Sequence, residues 1–428
     1  MRPHRILPIL SLVLFAGCSF FSSGQRAPKF ESEEELVAYA KGVHERAITI
    51  DSHDDISADF ASEKDDVGSP DNRRQVTLPK MRQGGLDVEF FAVFTGTGDR
   101  SVASFESAYK SALARFDAIH RLPVRYPNEV AIAVSPADVV RINASGKLVA
   151  CIGVENGYPV GTELSRLKEF YDKGARYITL THSGHNQICD SSTPREGQPA
   201  EEYGGLSEFG RQVVQEMNRL GMMIDISHAS KSASLEVLRL SKAPIIASHS
   251  GASGVNESPR NLDDETLREL KKNGGVVQLV SLADYIKRRE DSPERLAALT
   301  ELRKEFGLPE GRGLGMRRAM QTLSQEQIAK LREKMREIDI KFPRTPVTVQ
   351  DMVNHIDHIV KLIGIDHVGI GSDFDGGGGL TGWGDASESL NITVELVRRR
   401  YSEKDIKKIW GENLLRVWKE VERVAEKD

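Results

Sequence analysis

The sequence predicts an α/β protein: a single (β/α)8 barrel of the TIM type, with a helical insertion before the eighth strand. Three observations carry that prediction. Eight short apolar runs alternate with helical patterns, the arithmetic of a closed parallel sheet wrapped by helices. Most of those runs end in a histidine or an acid, and the ends of parallel strands meet at one place only when the strands share a barrel or sheet rim. With 428 residues and 39% apolar content, the chain can fill one large core without needing a second domain.

The first 17 residues read as a targeting signal, not as part of the fold. Arg2 and Arg5 precede the apolar run 6–16, which is too short to span a bilayer and has the length of a signal h-region. It ends in Leu14-Phe15-Ala16-Gly17-Cys18, which resembles a bacterial lipobox. That resemblance implies cleavage before Cys18, lipidation of Cys18, and a protein anchored to the membrane on the extracytoplasmic side of a bacterial envelope. Residues 18–31 then form a polar tether, and the barrel domain occupies 32–428.

Ser32-x-x-Glu35 has the form of a capping box and opens a helix that delivers the chain into strand one, 47–51. The turn Gly84-Gly85 leads into strand two, 86–94, followed by a helix over 105–122. Ser135-Pro136 is a cap with a first-turn proline and starts another short helix. Strand three, 148–154, ends in Glu155; strand four, 176–181, in His182; strand five, 222–227, in His228; strand six, 244–248, in His249. Strand seven is 275–281, and strand eight, 367–372, ends in Asp373. Helical patterns over 163–172, 206–220 and 264–272 separate them. The rhythm breaks at 283–344, a charged segment with a helical pattern over 324–338. It is expected to be a solvated helical excursion over the barrel mouth, with a lid or partner surface as the sharper alternative. The tail 387–424 is amphipathic and expected to pack on the barrel's outside.

A net charge of −5, a pI near 6.2 and the absence of a dense basic run leave no electrostatic case for nucleic acid. The chemistry gathers at the strand ends instead. In Asp51-Ser52-His53-Asp54-Asp55, residues two apart share a face of an extended strand, so His53 and Asp55 point one way and Ser52 and Asp54 the other. With Glu155, His182, His228, His249 and Asp373 they form a set of imidazoles and carboxylates, the donors that borderline divalent metals such as zinc favour. There are ligands enough for two metals. Glu155, leaving strand three beside strand one, is the natural bridge. His53 and Asp55 would complete one site, and His228 and His249 the other. His355 and His358 lie on a helical pattern without the glutamate of H-E-x-x-H and read as surface residues, while His185 and His367 read as structural. Beyond the signal, Cys151 and Cys189 are no disulfide framework; Cys151, in an apolar strand, reads as a buried thiol.

These motifs together resemble the membrane (renal-type) dipeptidases, the M19 branch of the amidohydrolase-like metalloenzymes, over residues 35–420. The resemblance rests on Asp51-Ser-His-Asp-Asp55, Gly153-Val-Glu155-Asn-Gly157, Thr179-Leu-Thr-His182, Ile224-Asp-Ile-Ser-His228, Ser248-His-Ser250, Arg260-Asn261 and Gly371-Ser-Asp-Phe-Asp-Gly376. It implies zinc at His53 and Asp55, a second zinc at His228 and His249, and Glu155 between them. It further implies that His182 contacts the substrate near the scissile group, that Arg260 holds the substrate's C-terminal carboxylate, and that Asp373 is the acid beside the bridging water. Tyr158 stands where the family frequently has a histidine, Ser52 and Asp54 where it often has Gly and Asn, and the insertion before strand eight is longer than in the animal enzymes.

The expected reaction is hydrolysis of the amide bond in a free dipeptide by a water acidified between two cations; the resemblance implies broad dipeptidase action that extends to a C-terminal D-residue. A homodimer is a further expectation. A different amidohydrolase-type reaction on a lactone, phosphoester or N-acyl amino acid would use the same metals. A non-catalytic solute-binding lipoprotein would keep the barrel without turnover. A scaffold of the envelope would not need Asp373 beside two metal sites.

Overall fold

Parallel strands buried on both faces are near-continuous apolar runs, and the strand Leu148–Glu155 is buried at every position. The computed structural model describes residues 26–308 and 323–425. The signal peptide, Cys18, the tether before residue 26 and positions 309–322 of the insertion lie outside the described residues. Among the described residues no helix is long and apolar enough to cross a membrane. The strands are β1 (Ile50–Asp55), β2 (Val88–Phe94), β3 (Val130–Ile132), β4 (Leu148–Glu155), β5 (Ala175–Thr179), β6 (Met223–Asp225), β7 (Ile246–Ser250), β8 (Val276–Leu279) and β9 (Val368–Ile370).

Eight of them pair in parallel in the order β1-β2-β4-β5-β6-β7-β8-β9, and β3 is a short extra strand on β4. The barrel closes where the predicted chemistry lies. Asp54 bridges Phe374, the Asp55 amide donates to the Phe374 carbonyl (2.9 Å), and the Asp373 amide donates to the His53 carbonyl (3.1 Å). Asp51 joins the seam by accepting the Ser372 amide (2.7 Å).

Inside the barrel, Ile50, Val88, Phe90, Val149, Cys151 and Tyr177 form one apolar cluster with Trp418 of the C-terminal helix Asn413–Ala425. Burying several such side chains contributes about 1.5–3 kcal/mol each before entropy is counted. Above this floor, the inward positions become polar and then ligand-forming.

Several expectations need correction. Strand one begins at Ile50 rather than 47, because its ladder with β2 starts there, so His53 and Asp55 lie within the strand. A register shift between Asp51 and Asp54 interrupts the simple alternation. β2 separates β1 from β4, so Glu155 does not leave a strand beside β1; it meets His53 across the barrel interior. The tail is a series of helices, and its last segment shares the interior cluster instead of lying wholly outside. His355 is fully buried: its Nδ1 accepts the Ala252 amide (3.0 Å) and its Nε2 donates to the Ile286 carbonyl (2.8 Å). His358 pairs with Asp264 (2.8 Å). Cys151 and Cys189 are buried and unpaired with each other.

The segment after β8 carries helices Ala283–Ile286, Pro293–Glu305 and Gln325–Lys341, with Leu299, Leu302, Leu308 and Leu331 forming a small core of their own. Asp291 ties its two ends together by accepting from Arg295 (2.8 Å) and Arg344.

Candidate metal centre

Four histidines from four barrel strands or their following turns surround one carboxylate. Glu155 Oε1 lies 3.1 Å from His228 Nε2, 3.5 Å from His249 Nε2 and 3.5 Å from His182 Nε2, while Oε2 lies 3.7 Å from His53 Nε2. His228 and His249 approach to 2.9 Å through their Nε2 atoms. Three donor groups, His53-Glu155-His249, Glu155-His182-His228 and His53-Asp55-Asp373, each have ligand atoms within 4.8 Å of one another. The predicted set therefore converges, with His53, Glu155, His228, His249 and Asp373 buried and Asp55 and His182 half-buried.

Local backbone geometry aims these side chains. Asn156, His228, Asp373 and Asp375 adopt positive φ (75°, 67°, 63° and 57°), a costly conformation for residues with a Cβ that clusters at functional sites. Each follows a strand closely and turns the chain sharply at the rim. Gly376 gives the room: a Cβ there would stand 2.3 Å from Asp373 Oδ1 and 2.5 Å from Asp55 Oδ2.

The donor set fits a pair of cations. His53 Nε2 and Asp55 Oδ1 are buried without a hydrogen-bond partner among the described residues, which is costly unless something else satisfies them. Burial pushes the Glu155 carboxyl up to about 8 and the Asp55 carboxyl up to about 7, the latter raised further by Glu155. Burial likewise raises Asp373 well above the carboxylate range and holds His228 and His249 well below the usual imidazole value. Neutral imidazoles are the form that ligates, and a bound cation takes the place of the carboxyl protons.

A pH prediction follows. In metal-free protein the folded state keeps protons that unfolded Glu155 and Asp55 release near 4.5 and 3.8. That contribution is fully present below those values and is lost as pH rises toward 7 and 8. His228 and His249, kept neutral by burial, act the other way and add stability as pH rises through their ordinary value of 6.5, so the Tm of chelator-treated protein is expected to fall between pH 6.5 and pH 8, and saturating zinc to reverse the trend. A metal-free Tm that rises steadily over this window would contradict the assignment.

Arg260 is buried beside the centre. One of its nitrogens donates to the His249 carbonyl (3.2 Å), its guanidinium lies 5.4 Å from the Tyr285 ring centroid, and its Nε has no hydrogen-bond partner among the described residues. His182 packs its ring 4.8 Å from Phe94 and 4.1 Å from His228. Tyr158 is buried, with its hydroxyl on Ser104 (2.6 Å), so its side chain is part of the packing.

A family model described as membrane dipeptidase, peptidase family M19, matches residues 37–428. The chain belongs to that family. A crystal structure of the probable dipeptidase PvdM from Pseudomonas aeruginosa is 34% identical, covers 92% of this chain and 100% of its own, and superposes with a TM-score of 0.80. Dipeptidase ataJ of Aspergillus terreus is 29% identical over 94% of this chain and 86% of its own length. Dipeptidase tcpJ of Claviceps purpurea is 30% identical over 88% and 77%. Family membership and the donor constellation together make the chain a metallo-dipeptidase.

Sequence reasoning missed Arg74. Its guanidinium donates to the Asp55 carbonyl and lies 3.4 Å from Asp54 Oδ2 and 3.0 Å from Asp375 Oδ2. Nothing in a loop arginine twenty residues from its partner announces that contact. Asp54 does turn away from the centre, as expected, and Ser52 donates to the Ser248 carbonyl (2.6 Å).

Proposed function

We propose that the chain hydrolyses the amide bond of free dipeptides with two divalent cations, zinc being the metal this donor set suits best. One observation carries the reading: the imidazoles of His53, His182, His228 and His249 all lie within 3.7 Å of the Glu155 carboxylate. His53 and Asp55 would hold one cation, His228 and His249 the other, and Glu155 would offer one oxygen to each. When bound, such a pair supplies Lewis acidity at the scissile carbonyl and acidifies water toward neutral pH.

The chain's own residues supply the remaining steps. Asp373 takes the proton of the attacking water and returns it to the leaving amine. His182, half-buried at the edge of the centre, donates to the carbonyl oxygen as negative charge develops there. Arg260 grips the substrate's terminal carboxylate with a forked guanidinium, which limits length on that side and favours dipeptides over proteins. Arg260→Ala is expected to raise KM for a dipeptide by roughly 10²-fold, the loss of one well-placed charged pair, with metal content unchanged. An unaltered KM would remove this assignment.

The lipobox supports an enzyme tethered outside the bacterial cytoplasm through lipidated Cys18, which mass spectrometry of the membrane fraction tests. A homodimer is a further part of the proposal, and sedimentation of the purified protein tests it. Metal analysis followed by assays with L-L and L-D dipeptides tests the whole reading. Two bound metals and turnover are expected; two metals without hydrolysis of any dipeptide would favour a solute-binding protein instead.

A further inference from the structure

Beneath the ligands lies a polar layer inside the barrel, formed by Tyr177 of β5, Asp225 of β6 and Ser248 of β7. Tyr177 Oη donates its proton to the Ser52 carbonyl (3.0 Å) and also stands 2.9 Å from His53 Nδ1. A phenol has one proton, so the second contact is the imidazole Nδ1–H donating to Oη. Ser248 repeats the device. Its hydroxyl donates to Asp225 Oδ2 (2.5 Å) and stands 2.9 Å from His249 Nδ1, so there too the ring N–H is the donor.

Both hydroxyls are anchored on their far side. Asp225 also accepts the Ser227 and Ser248 amides (2.9 and 2.8 Å) and the Thr179 hydroxyl, so its carboxylate has donors on both oxygens. The Tyr177 ring reaches His53 because residue 153 is glycine: a Cβ there would lie 2.0 Å from Tyr177 Cζ. The glycine in the Gly153-Val-Glu155 motif thus has a steric reason. His228 differs, since its Nδ1 is buried without a hydrogen-bond partner among the described residues.

We infer that Tyr177 and Ser248 are positioning residues of the metal centre, each hydroxyl holding one histidine in the tautomer whose Nε2 lone pair faces the cation. Tyr177 presets His53 on one side of Glu155, and Ser248, braced by Asp225, presets His249 on the other. This rests on the two-cation reading above. Partners of this kind fix ring orientation as well as tautomer, and their loss weakens metal binding without removing a ligand.

The test is zinc competition against a chromogenic chelator, using the full chain. Tyr177→Phe is expected to weaken one of the two zinc-binding steps by about 10- to 100-fold, Ser248→Ala to weaken the other by a similar factor, and the double variant to weaken both. Variants that are folded by circular dichroism and bind both equivalents as the parent does would overturn the inference, as would either single variant weakening both steps equally. Histidine ¹⁵N chemical shifts of the metal-free parent need no variant. Protonated Nδ1 is expected on His53 and His249, and protonated Nε2 on either would overturn the inference. A parent that binds no zinc yet shows the expected tautomers would instead sink the two-cation reading.

Discussion

Glu155→Gln is expected to lower kcat/KM for a dipeptide by at least about 10³-fold, equivalent to about 4 kcal/mol of transition-state stabilisation. The substitution keeps shape and volume but replaces a carboxylate, which can give one oxygen to each of two cations, with an amide whose nitrogen carries no lone pair for ligation. Its effect is large because no other acid can take the place. Glu155 lies within 3.7 Å of all four histidines, whereas Asp55 and Asp373 group only with His53. Bound metal is expected to fall from two equivalents to one or fewer. A Glu155→Gln protein that retained two metals and dipeptide turnover would refute the bridging assignment and the mechanism built on it.

Asp373→Asn is expected to lower kcat by about 10²- to 10⁴-fold, the range for losing a positioned proton carrier. Unlike the Glu155 variant, it should keep both metals and a near-parental KM, because its task is transfer of a proton to the leaving amine and not substrate binding. The metal readout is decisive here, because Asp373 stands with His53 and Asp55 as a group able to hold an ion. If metal content dropped in step with kcat, Asp373 would be a ligand and the proton carrier would have to be sought elsewhere. Its positive φ and the close approach of Gly376 show that the backbone places this carboxylate at some conformational cost.

Much of the barrel was legible in the sequence. Eight apolar runs, six of them ending in a histidine or an acid, correspond to β1, β2 and β4–β9, because parallel strands buried on both faces must be continuously apolar until they reach the rim. The short β3 escaped notice because no histidine or acid ends it at the rim, the mark that singled out the equally short β6 and β9. His355 was misread because a helix face carries no mark of what packs on it: the Ala252 amide and the Ile286 carbonyl both come from elsewhere in the chain. The tail's last helix showed its amphipathic pattern, yet the pattern could not say that Trp418 would meet Phe90 inside the barrel (ring centroids 5.8 Å).

By itself the sequence determined the chemical identity and order of the candidate donors, His53, Asp55, Glu155, His182, His228, His249 and Asp373, and their place in or just after the C-terminal half of strands, since both follow from residue type and hydrophobic periodicity. Only the tertiary structure decided that the seam between β9 and β1 closes at those residues. It also decided that Glu155 reaches His53 across the interior, that Arg74 holds the Asp55 carbonyl, and that Tyr177 and Ser248 stand behind the imidazoles. The physical reason is that a hydrogen bond depends on ångström-scale position and on which proton is already committed, and both are set by strands far apart in the chain.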